Sequence, residues 1–384
     1  MSNIIDYIRW RGDLPLSKSP FNEIDNLIFS ELSYMDFKNI VPKECTGNGI
    51  YLKDAVEMIE RRSPEENDPG LLIPEDVLQM LKIMKNTVRY KDMKLCGYVN
   101  DIDNVNARQF SALTIDTCDH CIYVAFRGTD DTIAGWREDL EFACTPDVPS
   151  QKRAVEYVNK AAKHFPLKRL RIGGHSKGGN LAAYSAIFCN TFAKKKIIQV
   201  WSNDGPGFLD DIIKTNNYQQ IKHKIHSIIP KSSVVGMLLE HDNKYTVVDS
   251  SELGLMQHNG FTWQVLGNTF ITLPELPKAA KESSTAIRTW LNKISPEKRR
   301  EFSDSLYNIL TSSGAKTFTD LKEENLKGYY KIIKATLNTD KEILSVLAQF
   351  FQLLFSVNAR LVIDGMQKDQ TDKAKAPKKI IIRK

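Results

Sequence analysis

The stretch Arg171–Ala186, RIGGHSKGGNLAAYSA, constrains the fold more than any other part of the chain. It sets Ser176 in a G-x-S-x-G pattern, Gly174-His175-Ser176-Lys177-Gly178, after a short apolar run and before an Ala- and Leu-rich segment. A serine on a sharp strand-to-helix turn holds strained backbone, and the neighbouring chains pass so closely that side chains two positions away would collide. Glycines at 174 and 178 answer that demand. Such a turn lifts the serine Oγ above the sheet and aims the N–H of Lys177, at the helix N-terminus, at the place where an oxyanion would form. A phosphate-cradling loop would need G-x-x-x-x-G-K-[ST], which cannot be drawn through these residues. A Gly-rich turn without chemistry is the bland alternative.

The rest of the chain reads in keeping with an α/β fold. Residues 1–92 are expected to be mostly helical: Ile24, Leu27, Ile28, Leu32 and Met35 fall at helical spacing, and a second helix starts at Pro74. Residues 93–273 switch to the runs KLCGYVND, QFSALTID and CIYVAFRG, then strands that alternate with helices. That alternation predicts βαβ units and a mostly parallel sheet with helices on both faces. Residues 274–365 are expected to form an appended helical region, with Ser295 as an N-cap and Pro296 as first helical residue. Residues 366–384 are expected to form a basic flexible tail. Its last stretch, DKAKAPKKIIIRK, holds much of the net charge of +6.

Composition narrows the class. Hydrophobic residues at 42% and charged residues at 26% are those of a soluble globular protein. The first residues lack the apolar run of about 7–15 that a secretion signal requires, so a cytoplasmic protein is expected. The most apolar segment, residues 343–357, is shorter than the roughly 20 needed to cross a bilayer. The tail offers a contact for anionic lipid or nucleic acid, but a solvated terminus is the simpler reading, and no nucleic-acid partner is expected. Cys118 and Cys121 form a C-x-x-C without a second pair to complete a zinc site, so no metal is expected.

A serine nucleophile needs a general base within hydrogen-bond reach. In this fold the triad runs serine, acid, histidine along the chain, which leaves His223, His226, His241 and His258. His258, in LMQHNGFTW, stands on a loop beyond the last expected strand, where a base belongs. The acid is less determined. Asp204 follows a strand directly, whereas Asp242 and Asp249 lie later, and NDGPG around Asp204 is also plain turn chemistry.

The motifs VAFRGTDDTIAGWREDL, GGHSKGGNLAA and QHNGFTW occur in an order and spacing that resemble class 3 lipases of the α/β-hydrolase fold, over roughly residues 22–272. The resemblance implies that Thr129 donates to the oxyanion and that Asp139 holds its hydroxyl, with Trp136 and Leu140 completing the motif. It also implies that the helix around Trp136 is a lid in relatives, a role the extra helices could take over here. The family's usual acid position falls nearest Ser233, which carries no carboxylate, so Asp204 leads as the acid, in the arrangement of pancreatic-type lipases. A pair helped by Ser233 is the alternative. The expected protein is a serine hydrolase of carboxylic esters, lipid-like or acylglycerol, needing no cofactor and open to contact with a lipid interface. A peptidase, thioesterase, acyltransferase or non-catalytic binding protein on the same scaffold stays open.

Overall fold

The computed structural model describes residues 2–45, 49–62, 76–103, 108–130, 132–142, 147–233, 235–239, 245–317 and 326–349, with residues 320, 352 and 359. Four N-terminal helices come first: α1 (Ile4–Arg11), α2 (Glu23–Leu32), α3 (Leu52–Glu60) and α4 (Asp76–Met84), with the short strand β1 (Ile50–Tyr51) before α3. Asn3 and Asn22 start α1 and α2 through capping boxes closed by Asp6 and Asp25. Ile24, Leu27, Ile28 and Leu32 are all fully buried; Met35 is buried too, but lies past the end of α2. The expected helix start at Pro74 lies outside the described residues.

Next come β2 (Lys94–Asp103), β3 (Arg108–Asp116), β4 (Cys121–Phe126), α5 (Ile133–Glu141), α6 (Pro149–His164), β5 (Arg169–His175), α7 (Lys177–Phe188), α8 (Thr191–Lys196) and β6 (Ile197–Asn203). They are followed by α9 (Asp210–Ile213), α10 (Asn216–Ile221), β7 (Ile225–Pro230), β8 (Thr246–Val248), β9 (Val265–Leu266), β10 (Thr269–Phe270) and β11 (Thr272–Leu273). Nine strands form one sheet in the order β1-β2-β3-β4-β5-β6-β7-β8-β11. From β4 to β8 every neighbouring pair is parallel, and antiparallel pairs extend the sheet at both edges. This is the α/β-hydrolase architecture.

Strand β4 shows why both faces are covered. All six of its residues are buried, and alternation sends Tyr123 and Ala125 into a core with the N-terminal helices, and Ile122, Val124 and Phe126 into a core with α6 and α7. Three further helices follow, α11 (Lys278–Lys293), α12 (Pro296–Thr311) and α13 (Leu326–Leu337), and residues 341–349 are helical as well. Ser295 caps α12 by accepting from the N–H of Lys298, and Pro296 is its first residue. Among the described residues no helix is long and apolar enough to cross a membrane.

Candidate active site

Ser176 stands between β5 and α7 with φ 56° and ψ −131°, a left-handed backbone that a side-chain-bearing residue adopts at a cost. Its N–H donates to Asn203 O at 2.8 Å, which ties the turn to the end of β6. The flanking glycines leave no alternative. A Cβ on Gly178 would stand 2.1 Å from Phe126 O, and one on Gly174 2.3 Å from the Gly178 carbonyl carbon. Asn203 also donates to Gly174 O at 3.0 Å and is held by Asn26 of α2 at 2.8 Å, so the turn is braced from both sides.

Asp204 follows β6 with φ 48° and is buried. One carboxylate oxygen, Oδ2, lies 2.6 Å from Nδ1 of His258, the last residue of a 3₁₀ turn over Gly254–His258. The other, Oδ1, accepts from the Ser233 hydroxyl and from the Gly236 N–H at 3.1 Å. Ser233 therefore joins the carboxylate and does not stand in for it. Asp249 is engaged elsewhere, 2.6 Å from Lys231 Nζ. His223 is exposed, and His226 stacks on Trp201 with ring centroids 4.4 Å apart. Asp242 and His241 lie outside the described residues.

Thr129 follows β4 and donates its hydroxyl to Asp139 Oδ2. Asp139 sits on α5; its side chain is 29% exposed, yet Oδ1 is buried without a hydrogen-bond partner. Burial pushes its carboxyl up to about 6, opposed by the Lys177 ammonium and the Thr129 hydroxyl. The Lys177 side chain turns inward: Nζ is 2.6 Å from Glu138 Oε2 and donates to Gln109 Oε1 at 3.1 Å. Glu138 in turn accepts from the N–H groups of Ser150 at 2.9 Å and Gln109 at 3.1 Å. The Lys177 backbone meanwhile opens α7 beside the serine.

Two further groups were not singled out from the sequence. His175 packs against His258 with ring centroids 4.6 Å apart and planes tilted by 37°, Nε2 2.7 Å from His258 O and Nδ1 3.0 Å from the Tyr34 hydroxyl. Burial, helped by the His258 charge, drives its pKa down to about 3, so it is neutral and donates from Nε2. Glu31 of α2 lies 3.7 Å from Nδ1, its buried oxygens without hydrogen-bond partners, and burial pushes its carboxyl up to about 8. The loop carrying His258 rests on this neutral pair.

The helix bearing Trp136 is covered by the C-terminal region. Arg137 reaches Asp304 of α12 at 2.7 Å and lies 4.8 Å over the Tyr307 ring, and the Ile133 N–H donates to Lys316 O at 2.9 Å. Trp136 itself stays 44% exposed. Cys118 and Cys121 flank the turn of the β3–β4 hairpin. A cavity of about 200 Å³ lined by Cys45, Phe110, Tyr157 and His164 is separate from all of these groups.

The model of the Mbeg1-like family matches residues 84–308, a span that takes in Thr129, Ser176, Asp204 and His258. The chain belongs to the Mbeg1-like family. This is the lipase-like assignment that the motifs suggested. Among solved structures, the Mbeg1-like chain is similar to the Rhizomucor miehei lipase–propeptide complex, at 17% identity over 42% of this chain and 58% of that one, TM-score 0.32. Lipase II from Rhizopus niveus matches at 14% identity over 52% and 77% of the two chains, TM-score 0.33. A mutant form of MDLA from Penicillium cyclopium matches at 11% identity over 69% and 89%, TM-score 0.38. The Mbeg1-like chain thus spans under two thirds of the Rhizomucor chain it matches. No curated protein matches it in sequence.

Proposed function

We propose that this Mbeg1-like protein is a serine hydrolase of carboxylic esters, acting on lipid-like substrates through an acyl-enzyme on Ser176. The observation that carries the reading is the 2.6 Å contact between buried Asp204 and His258 Nδ1, on the loops beside a serine in strained backbone. Asp204 would fix the His258 tautomer and stabilise its imidazolium, leaving Nε2 to take the Ser176 proton as Oγ attacks the ester carbonyl. The N–H groups of Thr129 and Lys177 would stabilise the oxyanion. His258 would then return the proton to the leaving alcohol, and water would repeat the sequence to release the acid. No metal or organic cofactor enters these steps. The lipid-like substrate class follows from the resemblance to lipases, and a cytoplasmic location belongs to the same proposal.

The test combines a fluorophosphonate probe with p-nitrophenyl esters from acetate to palmitate. Wild type should label at Ser176 and turn over esters, and Ser176→Ala should lose labelling and about 10⁶ in kcat while keeping its thermal midpoint within a few degrees. A folded wild-type protein that neither labels nor hydrolyses any ester would overturn the proposal, and so would a Ser176→Ala variant that keeps a tenth of the turnover.

A further inference from the structure

The C-terminal helix α13 has two faces, and the fold uses one of them. Ile332 and Ala335 pack against the cluster of Phe302, Ile309, Ile343 and Leu347. On the opposite side Tyr330, Ile333 and Leu337 are 65%, 59% and 76% exposed, with Tyr329 beside them at 47%. At roughly 100° per residue these four side chains share about a quarter to a third of the helix circumference. Lys327, Lys331 and Lys334 follow one flank of that stripe, and the helix contains no carboxylate. Isolated exposed apolar residues are ordinary; a contiguous aromatic and aliphatic stripe bordered by charge of one sign is an interaction surface.

The charge selects the partner. The chain runs on past the described residues and ends in DKAKAPKKIIIRK, with six basic side chains against one aspartate, so helix and tail carry charge of the same sign. We propose that α13 is a docking surface for an anionic membrane, lying in the plane of the interface. Ile333 and Leu337 would enter the acyl boundary, Tyr329 and Tyr330 would sit at headgroup level, and the lysines would meet anionic headgroups. A short apolar face alone binds weakly; the basic tail supplies the second signal that stable peripheral binding requires. α13 packs on α12, and α12 on α5, which carries the exposed Trp136 and the Asp139 that holds Thr129.

The inference goes beyond the hydrolase reading and its test measures binding alone, so a protein inert toward every ester could still pass it. Full-length protein is sedimented with vesicles of phosphatidylcholine alone and of phosphatidylcholine with an equal part of phosphatidylglycerol, at low and high salt. Binding should favour the anionic vesicles by at least about tenfold and be released by salt. Tyr330→Ser/Ile333→Ser/Leu337→Ser should lose at least about tenfold in vesicle affinity with an unchanged thermal midpoint. Should that midpoint drop, Lys331→Glu/Lys334→Glu decides, with the same loss expected. Failure of the wild type to pellet with anionic vesicles overturns the proposal. Binding that survives both helix variants but disappears on deletion of residues 366–384 overturns it in favour of the tail. Self-association dispersed by the triple variant, with no vesicle binding, overturns it in favour of a second copy of the chain.

Discussion

Two aspartates stand among the candidate site residues, and their surroundings differ. Asp204 is met on every side by donors: His258, the Ser233 hydroxyl and the Gly236 N–H. Asp139 receives one hydroxyl, from Thr129, and its second oxygen is buried with the Lys177 ammonium 4.0 Å away and already engaged by Glu138. The first environment surrounds a carboxylate with hydrogen-bond donors. The second holds a carboxyl whose pKa burial has raised to about 6, suited to orienting a hydroxyl. The same residue type thus stands in two different settings, distinguished by the count of donors around it.

The sharpest way to break this contrast is Asp204→Asn. It keeps the shape of the side chain but leaves His258 in the wrong tautomer, so kcat for a p-nitrophenyl ester should fall by about 10⁴. The same change at Asp249, paired with Lys231 away from the histidine, should cost far less. Equal losses at 204 and 249 would show that the Asp204 contact is structural.

Thr129→Val probes the other side. Valine removes the hydroxyl that anchors Thr129 to Asp139 and so loosens the N–H proposed for the oxyanion; loss of such a donor costs about 10²–10³ in kcat, so turnover should drop by up to that amount and far more than KM rises. A change confined to KM would move Thr129 from the oxyanion to substrate binding.

Asp139→Asn gives the smallest effect and appears in stability. The folded value of about 6 lies above the ordinary carboxylate value of about 3.9. Between these values the native protein holds a proton that the unfolded chain has released, so stability falls as pH rises through that window, by at most ~1.4 kcal/mol per unit. The asparagine variant should differ from wild type by this slope in urea titrations at pH 4, 5 and 6, because Glu31 and His175, shifted to about 8 and about 3, contribute equally to both proteins. A wild-type-minus-variant difference that does not change with pH would remove Asp139 as the source.

What could be read from the sequence divides along the range of the forces involved. The turn at Ser176 was legible because its constraint is local and steric, written as glycines two positions away on either side. The strands around it were legible as apolar runs: QFSALTID and CIYVAFRG fall on β3 and β4, with ends one or two residues off. Asp204 could be favoured because it follows a strand, but the hydrogen bond that joins it to His258 links residues 54 positions apart, and nothing local separates it from Asp249. The inward turn of Lys177 was not legible. A lysine after the serine reads as a solvated charge, and its partner Glu138 lies 39 positions away on another helix. His175 and Tyr34, 141 positions apart, were hidden for the same reason. The two-residue strands β1 and β11 are too short to show any periodicity.

The buried pair of Lys177 and Glu138 carries a rule for how sequences of this kind can vary. Both side chains are out of solvent, 1% and 0% exposed, so a lineage that loses the glutamate first would strand an ammonium inside the protein. The reverse order strands a carboxylate. Positions 138 and 177 should therefore drift together, as lysine with glutamate or as two apolar residues of similar bulk, and a homologue holding one charge without the other should carry a substitute partner nearby, with Gln109 the position to inspect first.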